Sequence, residues 1–316
     1  MRYTYQKSIL TALFLALFLF VSCDSDDDSG QGVFPLSADI FNSVNGKRVA
    51  FQGLTHSAVS WLWDFGDGTT STEQNPVHVY PESGYYTATL TATDANGATV
   101  TKEVNLALDI TPYVLLTGGA TAEGGKTWRL SSGHSDNDYF ANADADLSPF
   151  DGAPNPLPSG IFGAGLGMAE VYEDEFTFHY DGSYEMDLKG DGAAFSGLLY
   201  QFVANGGADI VNDGGADFGL CTASFTPGAE ASFVYAENED LEIASVYGPG
   251  GALTFEGVST LSFSDNAFVG LLDFENRVII QDITDSSMRL VMFLAASQDY
   301  IGVNTNAVVV TFEVVR

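Results

Sequence analysis

Four carboxylates crowd into six residues at Glu170, Glu173, Asp174 and Glu175. Two carboxyls held about 5 to 5.5 Å apart across a glycosidic bond can act as nucleophile and acid, so the cluster invites a glycoside-cleaving reading. The run lies just ahead of an alternating strand pattern, however, and charges in that place face water. A second concentration of polar groups spans Ser135 to Asp146, where Asp136, Asp138, Asp144 and Asp146 offer hard oxygen ligands suited to a calcium ion. Their order does not follow the EF-hand loop, so an ion held there would be structural, and no other cofactor is expected. The same stretch opens a long segment, Gly133 to Tyr172, rich in Pro and Gly and holding Tyr139, Phe140, Phe150 and Phe162. Aromatic faces suit the apolar side of a sugar ring, and nearby polar groups orient its hydroxyls. Asp136, Asn137, Asp138, Tyr139, Phe140, Phe162 and Tyr172 are therefore the candidate glycan contacts. The four histidines (56, 78, 134 and 179) are too scattered for a zinc site, and no Gly-x-Ser-x-Gly, His-Glu-x-x-His or Cys-x-x-Cys occurs.

The start of the chain carries a different chemistry. Arg2 and Lys7 precede an apolar run from Ile9 to Val21, interrupted by Thr11 and followed by Ser22-Cys23. The run is short for a membrane span and has the build of a secretory signal. A small residue before Cys at its end resembles the bacterial lipobox, which implies cleavage after residue 22 and lipidation of Cys23. Asp24-Ser25-Asp26-Asp27-Asp28 resembles the surface-export signal of Bacteroidetes lipoproteins. These likenesses imply a protein anchored to the outer membrane by lipid alone and facing the cell exterior. Residues 23–35 read as an acidic tether.

Leaving out Arg2 and Lys7, 9 basic residues remain against 42 acidic ones, a net charge near −33. Such a chain repels nucleic acid and anionic lipid surfaces, which excludes both as partners. Hydrophobic residues at 45% and aromatics at 13% are enough to bury sizeable cores. With Cys23 lipidated, Cys221 has no partner for a disulfide, and its Leu-Cys-Thr-Ala context suits a small buried hydrophobe.

The elements that must position these groups are strands. Between residues 36 and 108, short alternating runs are separated by Asp64-Phe-Gly-Asp-Gly68, Asn75-Pro76 and Asp94-Ala-Asn-Gly97, the pattern of an antiparallel sandwich. Trp61-Leu-Trp-Asp-Phe-Gly-Asp-Gly68, the downstream Asn75-Pro-Val-His-Val-Tyr80 and the strand Tyr86-Thr-Ala-Thr-Leu-Thr-Ala92 resemble the PKD domain, an immunoglobulin-like spacer or contact module. Asp64 and Asp67 should cap backbone amides of the tight turn, with Trp63, Phe65 and Tyr80 in the core. Trp61 is the alternative sugar platform. Residues 109–125, with two Gly-Gly pairs, read as a linker.

From 126 to 316 the chain alternates again. Glu175–Tyr180 and Ser183–Leu188 form a hairpin around Asp181-Gly182, and further strands include Phe268–Phe274 and Val308–Val315. The fold class expected is all-β, with a PKD sandwich followed by a larger β-sandwich of jelly-roll type. Lys126-Thr-Trp-Arg-Leu130, Tyr172–Tyr184 and the closing Thr-Phe-Glu-Val-Val resemble a domain found behind PKD modules in Bacteroidetes surface lipoproteins. Those proteins are similar in role to the SusE/SusF-type glycan-binding proteins of polysaccharide-utilisation loci. The resemblance implies non-catalytic polysaccharide capture beside a SusC/SusD-like importer. The alternatives are a glycoside hydrolase or lyase of jelly-roll type, and an adhesive or structural surface protein. The hydrolase reading is weakened by Tyr172, which stands where the Glu-aliphatic-Asp-x-x-Glu strand of jelly-roll glucanases has its Asp.

Overall fold

Period-two alternation builds the N-terminal sheets. Strands β1 (Ser37–Asn45), β2 (Arg48–His56) and β5 (Val77–Val79) form one sheet, while β3 (Ala58–Asp64), β4 (Thr70–Ser71), β6 (Gly84–Asp94) and β7 (Thr99–Leu108) form the other. In β6 the residues Tyr86, Ala88, Leu90 and Ala92 turn inward and the intervening threonines outward. They meet Val49, Phe51, Trp63, Phe65 and Tyr80 in one core. The computed structural model describes residues 34–316, and of residues 216–218 the backbone only. The apolar run, Cys23 and most of the acidic tether lie outside the described residues.

The turn after β3 is tied as its composition demands. Asp64 Oδ1 accepts from the Gly66 amide at 2.9 Å, and Asp67 Oδ1 accepts from the Thr69 amide at 3.0 Å. Gly66 holds φ +75°, and a Cβ there would stand 2.6 Å from the Thr87 carbonyl oxygen. His78 Nε2 lies 2.6 Å from Asp67 Oδ2, and its ring stacks on Phe65 at 4.1 Å. Burial pushes the Asp67 carboxyl up, but hydrogen bonds from Thr69 and His78 outweigh it and hold the pKa below the ordinary value.

Residues 109–125 contain more than glycine. Thr111 caps the short helix α1 (Pro112–Thr117) by accepting from the Val114 amide, Pro112 opens it, and Gly118 closes it at φ +83°. Leu116 is buried in the C-terminal core. The helix's terminal carbonyls find side-chain donors there: Lys126 Nζ reaches Leu115 O at 2.6 Å, and Trp128 Nε1 reaches Leu116 O at 2.9 Å. On the other side Thr121 Oγ1 donates to Tyr85 O at 2.6 Å, and Tyr180 donates to Glu82 at 3.2 Å. Leu36–Arg316 accordingly form one compact unit.

The C-terminal part holds β8 (Lys126–Leu130), β9 (Tyr139–Asn142), α2 (Ile161–Ala164), β10 (Glu175–Phe178), β11 (Tyr184–Asp187), β12 (Ala193–Gly197), α3 (Leu198–Asn205), β13 (Ile210–Asn212) and β14 (Leu220–Ser224). It continues with β15 (Phe233–Ala244), β16 (Ala252–Phe263), β17 (Val278–Ile283), β18 (Ser287–Leu294) and β19 (Asn306–Val314). One wide sheet runs β11-β10-β8-β19-β18-β17-β16-β15, with β9 added on β19, and β12-β14-β13 form a small sheet. The larger β-sandwich expected from the sequence is therefore present, and β15 to β19 form an antiparallel meander within it. Strands β18 and β19 are apolar without alternation because both faces are covered. Leu290, Met292, Val308 and Val310 face the main core, while Val291, Phe293, Ala307 and Val309 join a second cluster.

Two local expectations change. The hairpin pairs Phe178 with Tyr184, and Gly182 at φ +90° donates its amide to His179 O. Its turn is therefore one residue longer than the two-residue Asp-Gly form, because Gly182 takes a left-handed position. Phe268–Phe274 is not a strand. Gly270 bends the run at φ +70°, where a Cβ would meet Met292 Sδ at 2.6 Å, yet Phe268, Val269 and Leu271 remain buried.

Candidate functional site

The long segment from Gly133 is nailed to β19 through one buried carboxylate. Asp138 receives His134 Nδ1 at 3.1 Å, Ser135 Oγ at 2.5 Å, and the amide and hydroxyl of Thr311 at 3.0 and 2.6 Å. A carboxylate only accepts, so Nδ1 of His134 carries a proton, and Nε2 of the same ring lies 2.9 Å from the Tyr172 hydroxyl. The Tyr172 oxygen in turn accepts from the Phe162 amide at 3.1 Å. The side chains of His134 and Asp138 are fully buried. Burial pushes the Asp138 carboxyl up, but the donors from His134, Ser135 and Thr311 prevail and bring it down to about 2. His134 belongs to the Gly133-His134 pair within the resemblance of residues 126–316, and its spacing of four from Asp138 is a signal for their pairing.

This geometry corrects the expected contact set. Asp138, Phe162 and Tyr172 are buried in the core, so their rings and carboxylate are committed to packing and hydrogen bonds rather than presented to a sugar, and Phe140, also buried, reaches a cleft only at its edge. Phe162 lies 4.9 Å from the ring of Phe195. Tyr139 is half-buried and donates its hydroxyl to Leu147 O at 3.0 Å. Asp136 and Asn137 are exposed at the loop tip. The proposed calcium ligands are likewise apart. Asp138 is spent as described, Asp144 accepts from the amide and hydroxyl of Ser148, and Asp146 is exposed. Among the described residues no three His, Cys, Asp or Glu side chains come together as a metal site.

The same loop does wall a cleft. Pro149 bridges Ala141, and the Phe150 amide donates to Phe140 O at 2.8 Å, which sets the Phe150 ring beside the end of β18. Phe140, Phe150, Gly219, Leu294, Ala296 and Asn306 enclose about 290 Å³. Phe150 is 38% exposed, so part of its ring faces solvent. Asn306 accepts from Thr305 Oγ1 at 2.8 Å and donates to Ala141 O at 3.4 Å. An amide has two N–H donors and two lone pairs, so one of each is left over for a ligand. A larger groove of about 540 Å³ crosses the first sheet, lined by residues such as Asp39, Gln52, His56 and Gln74. It contains no Phe, Tyr or Trp ring to stack on. Trp61 is half-buried with its Nε1 bonded to Thr55 Oγ1 at 3.1 Å.

The carboxylates of the cluster point to different surroundings. Glu170 and Glu173 are exposed, Glu175 holds Lys189 Nζ at 2.6 Å, and Asp174 turns inward. Burial, with the negative charges of Asp191 and Asp187, raises the Asp174 pKa to about 8. A second buried carboxyl, Asp273, accepts from the amides of Phe274 and Ala295 at 2.7 and 3.4 Å, and burial raises it to about 7. It sits where a Cβ on Gly197 would be, 1.7 Å from Oδ2. Cys221 is buried, and desolvation pushes its thiol up to about 12.

The family comparison falls on the first sandwich. The PKD domain family matches residues 42–108. Collagenase ColA of Bacillus cereus is 64% identical over 39 residues, which are 12% of this chain and 4% of that protein. The pre-pro-metalloprotease PrtV of Vibrio cholerae is 47% identical over 57 residues, 18% of this chain and 6% of its own length. The chain thus spans only a small fraction of these curated relatives. A crystal structure of the PKD1 domain of PrtV matches at 36% identity and TM-score 0.24, covering 24% of this chain and all of that domain. A structure described as a carbohydrate-binding module of the β-sandwich superfamily aligns over 90% of this chain and 93% of its own, at 12% identity and TM-score 0.25. The module that precedes the cleft-bearing sandwich, residues 42–108, is a PKD domain.

Proposed function

We propose that this chain is a surface lipoprotein of the outer membrane that holds a polysaccharide without cleaving it. In this reading it resembles SusE/SusF-type proteins in role, is anchored by lipid at Cys23, and passes glycan to a SusC/SusD-like importer. The observation that carries it is the cleft beside Phe150, where part of an aromatic face and the spare hydrogen-bonding capacity of Asn306 meet. That pairing suits a sugar ring, which has one apolar face and a rim of hydroxyls. Glu170, Glu173, Asp174 and Glu175 are dispersed between solvent, a lysine and the protein interior, which favours capture over hydrolysis.

The test is Phe150→Ala in the purified protein, measured against a polysaccharide panel by affinity electrophoresis and calorimetry. Loss of one stacking ring should weaken binding by about 1 to 3 kcal/mol, roughly 5- to 150-fold, if sugar stacking resembles base stacking. The melting temperature should barely move, because Phe150 is already part-exposed. Unchanged affinity in Phe150→Ala would remove the cleft from the reading, and release of reducing ends would replace capture with hydrolysis.

A further inference from the structure

We infer that the cleft beside Phe150 takes a neutral polysaccharide and discriminates against polymers bearing uronate or sulfate groups. The inference rests on the glycan-capture reading and deepens it to a substrate class. Among the described residues, none of the six that line the cleft is ionisable, and the polar member, Asn306, offers dipoles rather than charge. Hydroxyls are satisfied by such dipoles; a carboxylate or sulfate entering the cleft would give up water for no counter-charge.

Cations are few in the rest of the described chain, and none is among the residues lining the cleft. Residues 34–316 contain 9 Lys and Arg against 38 Asp and Glu. Six of the nine have their charged heads engaged: Lys47 on Pro81 O, Lys126 on Leu115 O, Arg129 on Glu313, Lys189 on Glu175 and Asp187, Arg277 on Glu275, and Arg289 on Gln281. Of the other three, Arg48 and Lys102 lie on strands of the PKD domain and Arg316 ends the chain. At the cleft rim the residue after Phe150 is an exposed aspartate, Asp151. A polyanion therefore meets like charge both over the whole surface and at the rim, and repulsion of this kind is an effective device for rejecting a wrong ligand. Such repulsion reaches about 8 Å at physiological ionic strength and shrinks as salt is added.

The experiment compares one backbone with and without charge, using a neutral β-glucan beside its carboxymethylated and sulfated derivatives. Binding of the full chain to each is measured at low and high sodium chloride, with Phe150→Ala as the site control. The neutral polymer should bind at least about tenfold more tightly at low salt, the factor produced by 1.4 kcal/mol. Its affinity should not change with salt, and it should fall in Phe150→Ala. The gap to the charged derivatives should narrow as salt rises. Equal or tighter Phe150-dependent binding of a charged derivative, with or without added calcium, would overturn the inference while leaving glycan capture standing. Failure of every polymer to bind across a wider neutral panel, or binding indifferent to Phe150→Ala, would bring down the capture site itself and the inference with it.

Discussion

Asp138→Asn is the sharpest test of how the long loop is held. An ordinary Asp carboxyl ionises near 3.8 and Asp138 near 2. Each pH unit of that gap corresponds to about 1.4 kcal/mol, so the ionised group contributes roughly 2 to 3 kcal/mol in favour of the fold. The folded value lies below the unfolded one. The contribution is therefore complete above the unfolded pKa and is lost as pH falls from about 4 towards 2. An amide keeps the shape and one acceptor oxygen, but it turns an N–H towards donors on His134, Ser135 or Thr311. A donor left facing a donor in a buried site adds about 1 to 3 kcal/mol. The expected loss at neutral pH is about 3 to 6 kcal/mol, the sum of the two terms, read as a lower midpoint in urea by tryptophan fluorescence. At pH 2.5 the gap between variant and wild type should have shrunk by about 1.5 kcal/mol, because roughly two thirds of the ionised group's contribution is gone by then. Asp136→Asn, two residues away and exposed, serves as the control and should be neutral. A loss below about 0.5 kcal/mol, the range of ordinary surface changes, would refute the reasoning. So would a gap that is the same at both pH values.

Two further outcomes follow from the buried groups and the PKD turn. Asp273 has its pKa raised to about 7, so its burial costs nothing below the unfolded pKa and progressively more up to about 7. Asp273→Asn should therefore gain stability relative to wild type between pH 4 and pH 8, by at most about 4 kcal/mol and read as a rising melting-temperature difference, and a constant difference would contradict the assignment. Gly66→Ala should destabilise the PKD core well beyond the 1 to 2 kcal/mol or so of left-handed strain, because its Cβ also meets the Thr87 carbonyl. Gly68→Ala, at φ +85° with open space around it, should show the strain alone. Equal effects of the two in urea melts would mean that the close approach to Thr87 does not matter.

Local chemistry made much of the fold legible. The Trp63-Asp-Phe-Gly-Asp-Gly68 run needs Asp side chains to cap amides and Gly to take positive φ, and those demands depend only on residues a few positions apart. Period-two alternation in β6 and β10 likewise assigned an inner and an outer face before any partner was known. Strands buried on both faces, such as β18 and β19, could be recognised as strands but not assigned to a face, since uniform apolarity carries no phase. Phe268–Phe274 was misread for the same reason, its apolar run being kept for burial while Gly270 gave up the ladder.

The binding chemistry was legible only as a neighbourhood. Composition pointed to the Gly133–Tyr172 loop, and one wall of the cleft comes from it. Which aromatic remains open could not be read from residue type, because Phe140, Phe150 and Phe162 are chemically alike. Their difference lies in contacts made far along the chain, with Phe195 against Phe162 and the ends of β18 and β19 against Phe140 and Phe150. Asp138 shows the same division. Its sequence setting offered a calcium ligand, and a hydroxyl and amide from Thr311, 173 residues away, made it a structural anchor instead. Net charge was fixed by composition, but that the described lining of the cleft holds no lysine or arginine was decided by where the fold places its few cations.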